Sequence, residues 1–101
     1  MRRMPYMIET VDRPDSVDLR VATRADHLAY LTENADRLIM AGAKWSDDGT
    51  VPLGSVIVLD VDTREEAEAF AAGDPFAQAG LFGETRITNW RVAFLDRTNR
   101  L

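Results

Sequence analysis

Apolar and polar positions recur along this chain with periods that define six main elements. Pro5–Val11 is a short β-branched and aromatic run, closed by the turn chemistry of Asp12-Arg13-Pro14-Asp15, and predicts a first strand. Leu28, Leu31, Ala35 and Leu38 then recur at helical spacing. Thr23-Arg24-Ala25-Asp26 offers a hydroxyl with an acid three residues on, a loose capping box, so a helix is predicted over residues 24–37, with Leu19–Ala22 as an earlier turn joined to it. Leu38–Trp45 predicts a second strand. Ser55–Val61, whose Val56-Ile57-Val58-Leu59 centre is apolar on both alternating sets, predicts a third. Thr63 caps a second helix that turns Ala67, Phe70 and Ala71 inward and closes at Gly73. Asp74-Pro75-Phe76 opens a short helical turn broken by Gly80. Thr85–Leu95 alternates as a last strand, with Thr88, Trp90, Val92 and Phe94 on one face and Ile87 and Leu95 on the other.

The order βαββαβ predicts an α+β protein of ferredoxin-like arrangement, with two helices on one face of an antiparallel sheet. The 101 residues suffice for one domain, with a core over residues 5–95 and tails over 1–4 and 96–101. The helix-free face should be polar in a monomer. Here the third strand is apolar on both sides, and Ile87 and Leu95 fall on the face opposite Trp90 and Phe94. Leaving several such side chains in water forfeits ~1.5–3 kcal/mol each. A homodimer packed sheet to sheet, closing a dimeric α+β barrel, is the simplest cover.

Composition narrows the chemistry. No cysteine is present, which removes disulfides, thiolate nucleophiles and Cys-ligated metal sites and is compatible with a reducing cytoplasm. His27 is the single histidine, too few for a usual transition-metal site, so no metal is expected. No glycine-rich phosphate loop or G-x-S-x-G turn occurs, and no cofactor is expected. The formal charge of −5 with scattered Lys and Arg argues against nucleic acid. No apolar run approaches the ~20 residues of a membrane helix.

His27 is the sharpest candidate for chemistry. It falls near one edge of the predicted helix stripe, with Arg24 one turn earlier and Arg20 on the same edge if the helix extends back. A histidine titrates near neutrality and can serve as acid or base; the arginines can hold a carboxylate or enolate oxygen. The plainer alternative is a structural histidine. Asp74 is the second candidate, and its plainer alternative is a helix N-cap before Pro75. Glu65, Glu66 and Glu68 read as a solvated helix face, and Met7 and Met40 as core filler.

These residues also carry a resemblance. Arg20-Val-Ala-Thr-Arg24-Ala-Asp-His27-Leu28, Gly54-Ser55-Val56, and Ala72-Gly73-Asp74-Pro75-Phe76 with Ala79-Gly80-Leu81 resemble, in order, the motifs of the YCII-related family. Ala25 departs from it, since the family often has proline there. The resemblance implies a dimeric α+β barrel in which His27 and Asp74 are the catalytic pair and Arg20, Arg24 and Ser55 bind substrate. It implies lyase or dehydrochlorinase chemistry, or isomerisation, on a small anionic or phenolic ring compound. The rival is a non-catalytic ligand-binding or interaction module of the same fold. In a simple ferredoxin-like unit, the start of helix one and the end of helix two lie at opposite ends. His27 and Asp74 therefore meet only if the chain folds back after Gly73, or if a partner subunit supplies one of them.

Overall fold

A computed structural model describes residues 5–101. The expected tail over residues 1–4 lies outside the described residues. In chain order the elements are β1 (Tyr6–Asp12), α1 (Val17–Glu33), a 3-10 turn (Ala35–Arg37), β2 (Leu38–Trp45), β3 (Pro52–Leu59), α2 (Arg64–Gly73), α3 (Pro75–Gln78) and β4 (Phe82–Asn89). The short strands β5 (Phe94–Leu95) and β6 (Thr98–Asn99) follow. The main sheet has the order β2-β3-β1-β4 with every neighbour antiparallel, which is the ferredoxin-like arrangement.

Helix α1 begins at Val17, seven residues before the predicted start. The turn at Pro14-Asp15, with Asp15 at φ 58°, already reverses the chain, and the N–H of Arg20 bonds to the Ser16 carbonyl 3.0 Å away. Thr23 and Asp26 are therefore mid-helix residues and not a cap. Thr63 does cap α2, its hydroxyl accepting from the Glu66 N–H at 3.2 Å.

The last strand ends at Asn89 instead of running to Leu95. β4 pairs only with β1, and the Trp90 N–H makes its bond to the Pro5 carbonyl, where β1 begins. With no further partner the chain leaves the sheet and folds into the β5–β6 hairpin, whose turn holds Asp96 and Arg97 at positive φ.

Register decides which residues face the helices. Across the sheet, Ala41, Ile57, Ile8 and Ile87 form one row, and Ala43, Ser55, Thr10 and Thr85 form the next. Both rows lie on the helix side, and Ile8, Ile57, Leu59 and Val61 meet Ala67 and Phe70 of α2 in the core. Ile87 packs against this core, so it is not a helix-free-face residue as the alternation had suggested. The opposite face carries Met40, Val58, Met7 and Thr88 in one row and Gly42, Val56, Glu9 and Arg86 in the next. Gly54 permits the close approach of β3 to β1: a Cβ there would run into the Thr10 carbonyl oxygen.

Candidate active site

The fully buried positions of α1 are Arg20 and His27, both polar, whereas Leu28 is 40% exposed. The inner face of this helix therefore carries a site more than a core. Starting at Val17 also places His27 ten residues into the helix, ~15 Å along its axis. That brings it level with the far end of α2, where Gly73 closes the helix and Asp74 begins α3.

His27 and Asp74 meet within one chain. His27 Nδ1 lies 2.8 Å from Asp74 Oδ1, and both residues are buried. The same Oδ1 accepts from the Phe76 N–H at 2.9 Å, so Asp74 is an N-cap and a histidine partner at once. The two readings of Asp74 from sequence are compatible. A carboxylate oxygen can only accept here, which assigns the proton of a neutral His27 to Nδ1 and leaves Nε2 with its lone pair. Nε2 has no partner among the described residues, and no unpartnered polar side-chain atom is sealed from solvent among them. It is therefore accessible to solvent, on a residue that lines the pocket. Phe76 stacks on the imidazole at 4.0 Å and 17° between planes, which fixes the ring's tilt.

The pocket, of about 180 Å³, lies between α1 and the β2–β3 side of the sheet. Its walls include Leu28 and Leu31 on the helix and Ala41, Ala43 and Ile57 on the strands. Arg20, Arg24 and Ser55 line it as well, so the structure brings all the sequence-predicted polar residues but Asp74 onto one cavity, with Asp74 directly behind His27. Arg24 is exposed and makes no hydrogen bond or ion pair among the described residues. Arg20 is committed: Nε and Nη2 bond to Asp12 Oδ2 and Oδ1 at 2.6 and 3.1 Å, and Nη2 also donates to Ser55 Oγ at 3.0 Å. Its guanidinium lies 4.6 Å from the Phe76 ring centroid. No group of three His, Asp or Glu side chains that could hold a metal ion occurs among the described residues.

Three residues of the site escaped the sequence reading. Asp12 was absorbed into a turn, and nothing local marks it as the partner of Arg20 eight residues later. Phe76 belonged to the short helical turn, with no signal that its ring would support His27. Tyr30, one turn after His27, donates to the Phe70 carbonyl at 2.9 Å. Burial raises the pKa of its phenol, the negative charge of Asp74 raises it further, and Arg37 pulls the other way.

The fold and this polar cavity define a small α+β protein of the YciI type. The YCII-related domain family matches residues 4–91, and the chain belongs to that family. Protein YciI of Escherichia coli O6:H1 (strain CFT073) is 30% identical, covering 90% of this chain and all of the relative. An uncharacterized protein of Haemophilus influenzae is 29% identical over the same span. Among solved structures, the chain is similar to 5-chloro-2-hydroxyhydroquinone dehydrochlorinase (TftG) from Burkholderia phenoliruptrix AC1100 in complex with 2,5-dihydroxybenzoquinone. The TM-score is 0.81 and the identity 30%, over 87% of this chain and 94% of that one. No helix among the described residues is long and apolar enough to cross a membrane.

Proposed function

We propose that this protein is a cofactor-independent cytoplasmic enzyme of lyase, dehydrochlorinase or isomerase type, acting on a small anionic or phenolic ring compound with His27 and Asp74 as its acid–base pair. The observation that carries this is the 2.8 Å His27–Asp74 contact together with a solvent-accessible Nε2 on a residue that lines the pocket. In this reading Nε2 takes a proton from a ring hydroxyl or an adjacent ring carbon. The electron pair left behind forms a double bond. Either a leaving group such as chloride departs with the electrons of its own bond, or the proton returns at another atom. The imidazolium forms beside the Asp74 carboxylate, which stabilises it; after loss of the leaving group it gives its proton to water, whereas in an isomerisation it gives that proton back to the substrate. Arg24, the exposed cation at the pocket, draws in and holds an anionic substrate. The likeness to a dehydrochlorinase bound to a dihydroxybenzoquinone supports the ring-compound class.

The test is turnover of chlorinated and hydroxylated hydroquinones, followed by chloride release and ring absorbance. His27→Asn should lower the rate ~10²–10⁴-fold with an unchanged circular dichroism spectrum. Binding without turnover, or wild-type rates in His27→Asn, would favour a ligand-binding module instead.

The same proposal includes a homodimer that covers the helix-free sheet face. Support comes from Met40 and Val11, 48% and 42% exposed on that face, beside the apolar Met7 and Val56. Met40→Lys should shift the mass seen by light scattering from two chains to one; a wild-type monomer at micromolar concentration would refute the dimer.

A further inference from the structure

The Asp12–Arg20 pair has no part in the proton transfer described above, yet its two side chains are buried and joined by two hydrogen bonds. Both side chains are under a tenth exposed, and both Asp12 oxygens are taken by one guanidinium. Such a pair is weak evidence for stability, because desolvating two charges offsets most of their attraction. Its effect on the neighbouring hydroxyl is more definite.

With Nε and one N–H of Nη2 fixed on Asp12, the second N–H of Nη2 points at Ser55 Oγ. Ser55 thus accepts from Arg20 and has its own proton left to donate. No described side chain or backbone group takes that proton, and Ser55 lines the pocket. The Ser55 backbone is held in turn: its N–H bonds to Thr10 Oγ1 at 3.0 Å, and Gly54 lets β3 close on β1 at that level. The cavity therefore offers two complementary groups, an acceptor at His27 Nε2 and a donor at Ser55 Oγ. Its volume of about 180 Å³ suits a single ring, since cavities of ~150 Å³ already admit benzene.

We propose that Asp12 is a positioning residue: by locking Arg20 it turns the Ser55 hydroxyl into a donor, and so sets the pocket for a single ring that carries a carbonyl or oxyanion oxygen as well as an ionisable hydroxyl. This rests on the proposed function and names the ligand pattern that the same site selects. Asp12 and Arg20 neutralise each other, so Ser55 supplies direction and Arg24 supplies the net charge.

The experiment is a double-mutant cycle on equilibrium binding of 2,5-dihydroxybenzoquinone, measured by calorimetry. Asp12→Asn and Ser55→Ala should each weaken binding roughly 10-fold, the scale of one lost hydrogen bond to a charged oxygen. The double variant should be no weaker than Ser55→Ala alone, a coupling that a merely structural Asp12 would not produce. His27→Asn should weaken binding by a factor that multiplies the effect of Asp12→Asn, because its acceptor is not coupled to the Asp12–Arg20–Ser55 unit, and this separates the inference from the role of His27. If Asp12→Asn does not fold, Arg20→Lys replaces it, because an ammonium cannot reproduce the planar fork that serves Asp12 and Ser55 together. Additive losses, or probe binding that neither variant weakens, would overturn this inference alone. A wild-type protein that does not bind the probe would overturn it together with the ring-compound reading.

Discussion

One sheet face carries two different interiors. Toward one end of β1 and β3, Ile8, Ile57 and Leu59 meet α2 in a sealed apolar core. Two to four residues along the same strands, Thr10, Asp12 and Ser55 meet Arg20, His27 and Asp74 under α1 and α3, and a pocket opens beside them. The strands are shared and the ladder is continuous up to Val11, with a register shift at Asp12, so most of the difference is made by side chains. Burying polar groups costs free energy unless each is hydrogen-bonded. At the polar end every shielded side-chain atom has a partner, and the groups left without one are those that reach the pocket. The apolar end holds the fold together, and the polar end lines the pocket.

Four variants break or sharpen that contrast. Gly54→Ala should act most strongly, because its Cβ would strike the Thr10 backbone, which cannot swing aside. A cost of several kcal/mol is expected, enough to abolish cooperative thermal unfolding in a domain of marginal stability. Next is the paired change Asp12→Leu with Arg20→Met, which gives the polar end the character of the core. Replacing a buried ion pair by apolar residues is often neutral or stabilising by ~1–4 kcal/mol. The melting temperature should hold or rise while binding of 2,5-dihydroxybenzoquinone is lost; a large drop would mean that the pair is there for stability.

Asp74→Asn should separate the two roles of that residue. Asparagine caps a helix about as well as aspartate, so stability should change by less than ~1 kcal/mol in denaturant titration. Turnover should fall ~10²-fold or more, because the imidazolium loses its countercharge. A silent Asn variant would make Asp74 a cap only. The smallest effect belongs to Tyr30→Phe, at about 1 kcal/mol for the lost bond to Phe70. The folded pKa of this phenol is raised above its unfolded value near 10, by burial first and by Asp74 second. Its stabilisation is therefore complete below pH ~10 and lost as pH rises through the folded pKa. In the Phe variant the alkaline decline in melting temperature should be shallower.

The element order and the Thr63 and Asp74 caps were legible because each rests on local chemistry or on alternation; His27, Arg24 and Arg20 were read from helix spacing, and Ser55 came only from the family resemblance. The start of α1 was not. Thr23 and Asp26 imitate a cap, and only the tertiary burial of Arg20 and His27 extends the helix back to Val17. That error placed His27 near the start of α1, so that a meeting with Asp74 needed a fold-back after Gly73 or a partner subunit; the two meet within one chain. The end of β4 was illegible for a related reason: alternation continues to Leu95, but the partner strand does not. The facing of Ile87 was misjudged from the same overextended strand. The Asp12–Arg20 bond joins the last residue of β1 to a helix residue across a chain reversal, a pairing that no periodicity encodes.

Because His27 is the single histidine of the chain, its ring nitrogens can be read without ambiguity by long-range nitrogen–proton NMR on uniformly labelled protein. In its neutral form the imidazole should be protonated at Nδ1 and bare at Nε2, with the Nε2 resonance moving when 2,5-dihydroxybenzoquinone is added and the Nδ1 proton shifting in Asp74→Asn. A neutral ring protonated at Nε2, or one that responds to neither the ligand nor the Asp74 substitution, would contradict the claim that Asp74 holds His27 as a base facing the pocket.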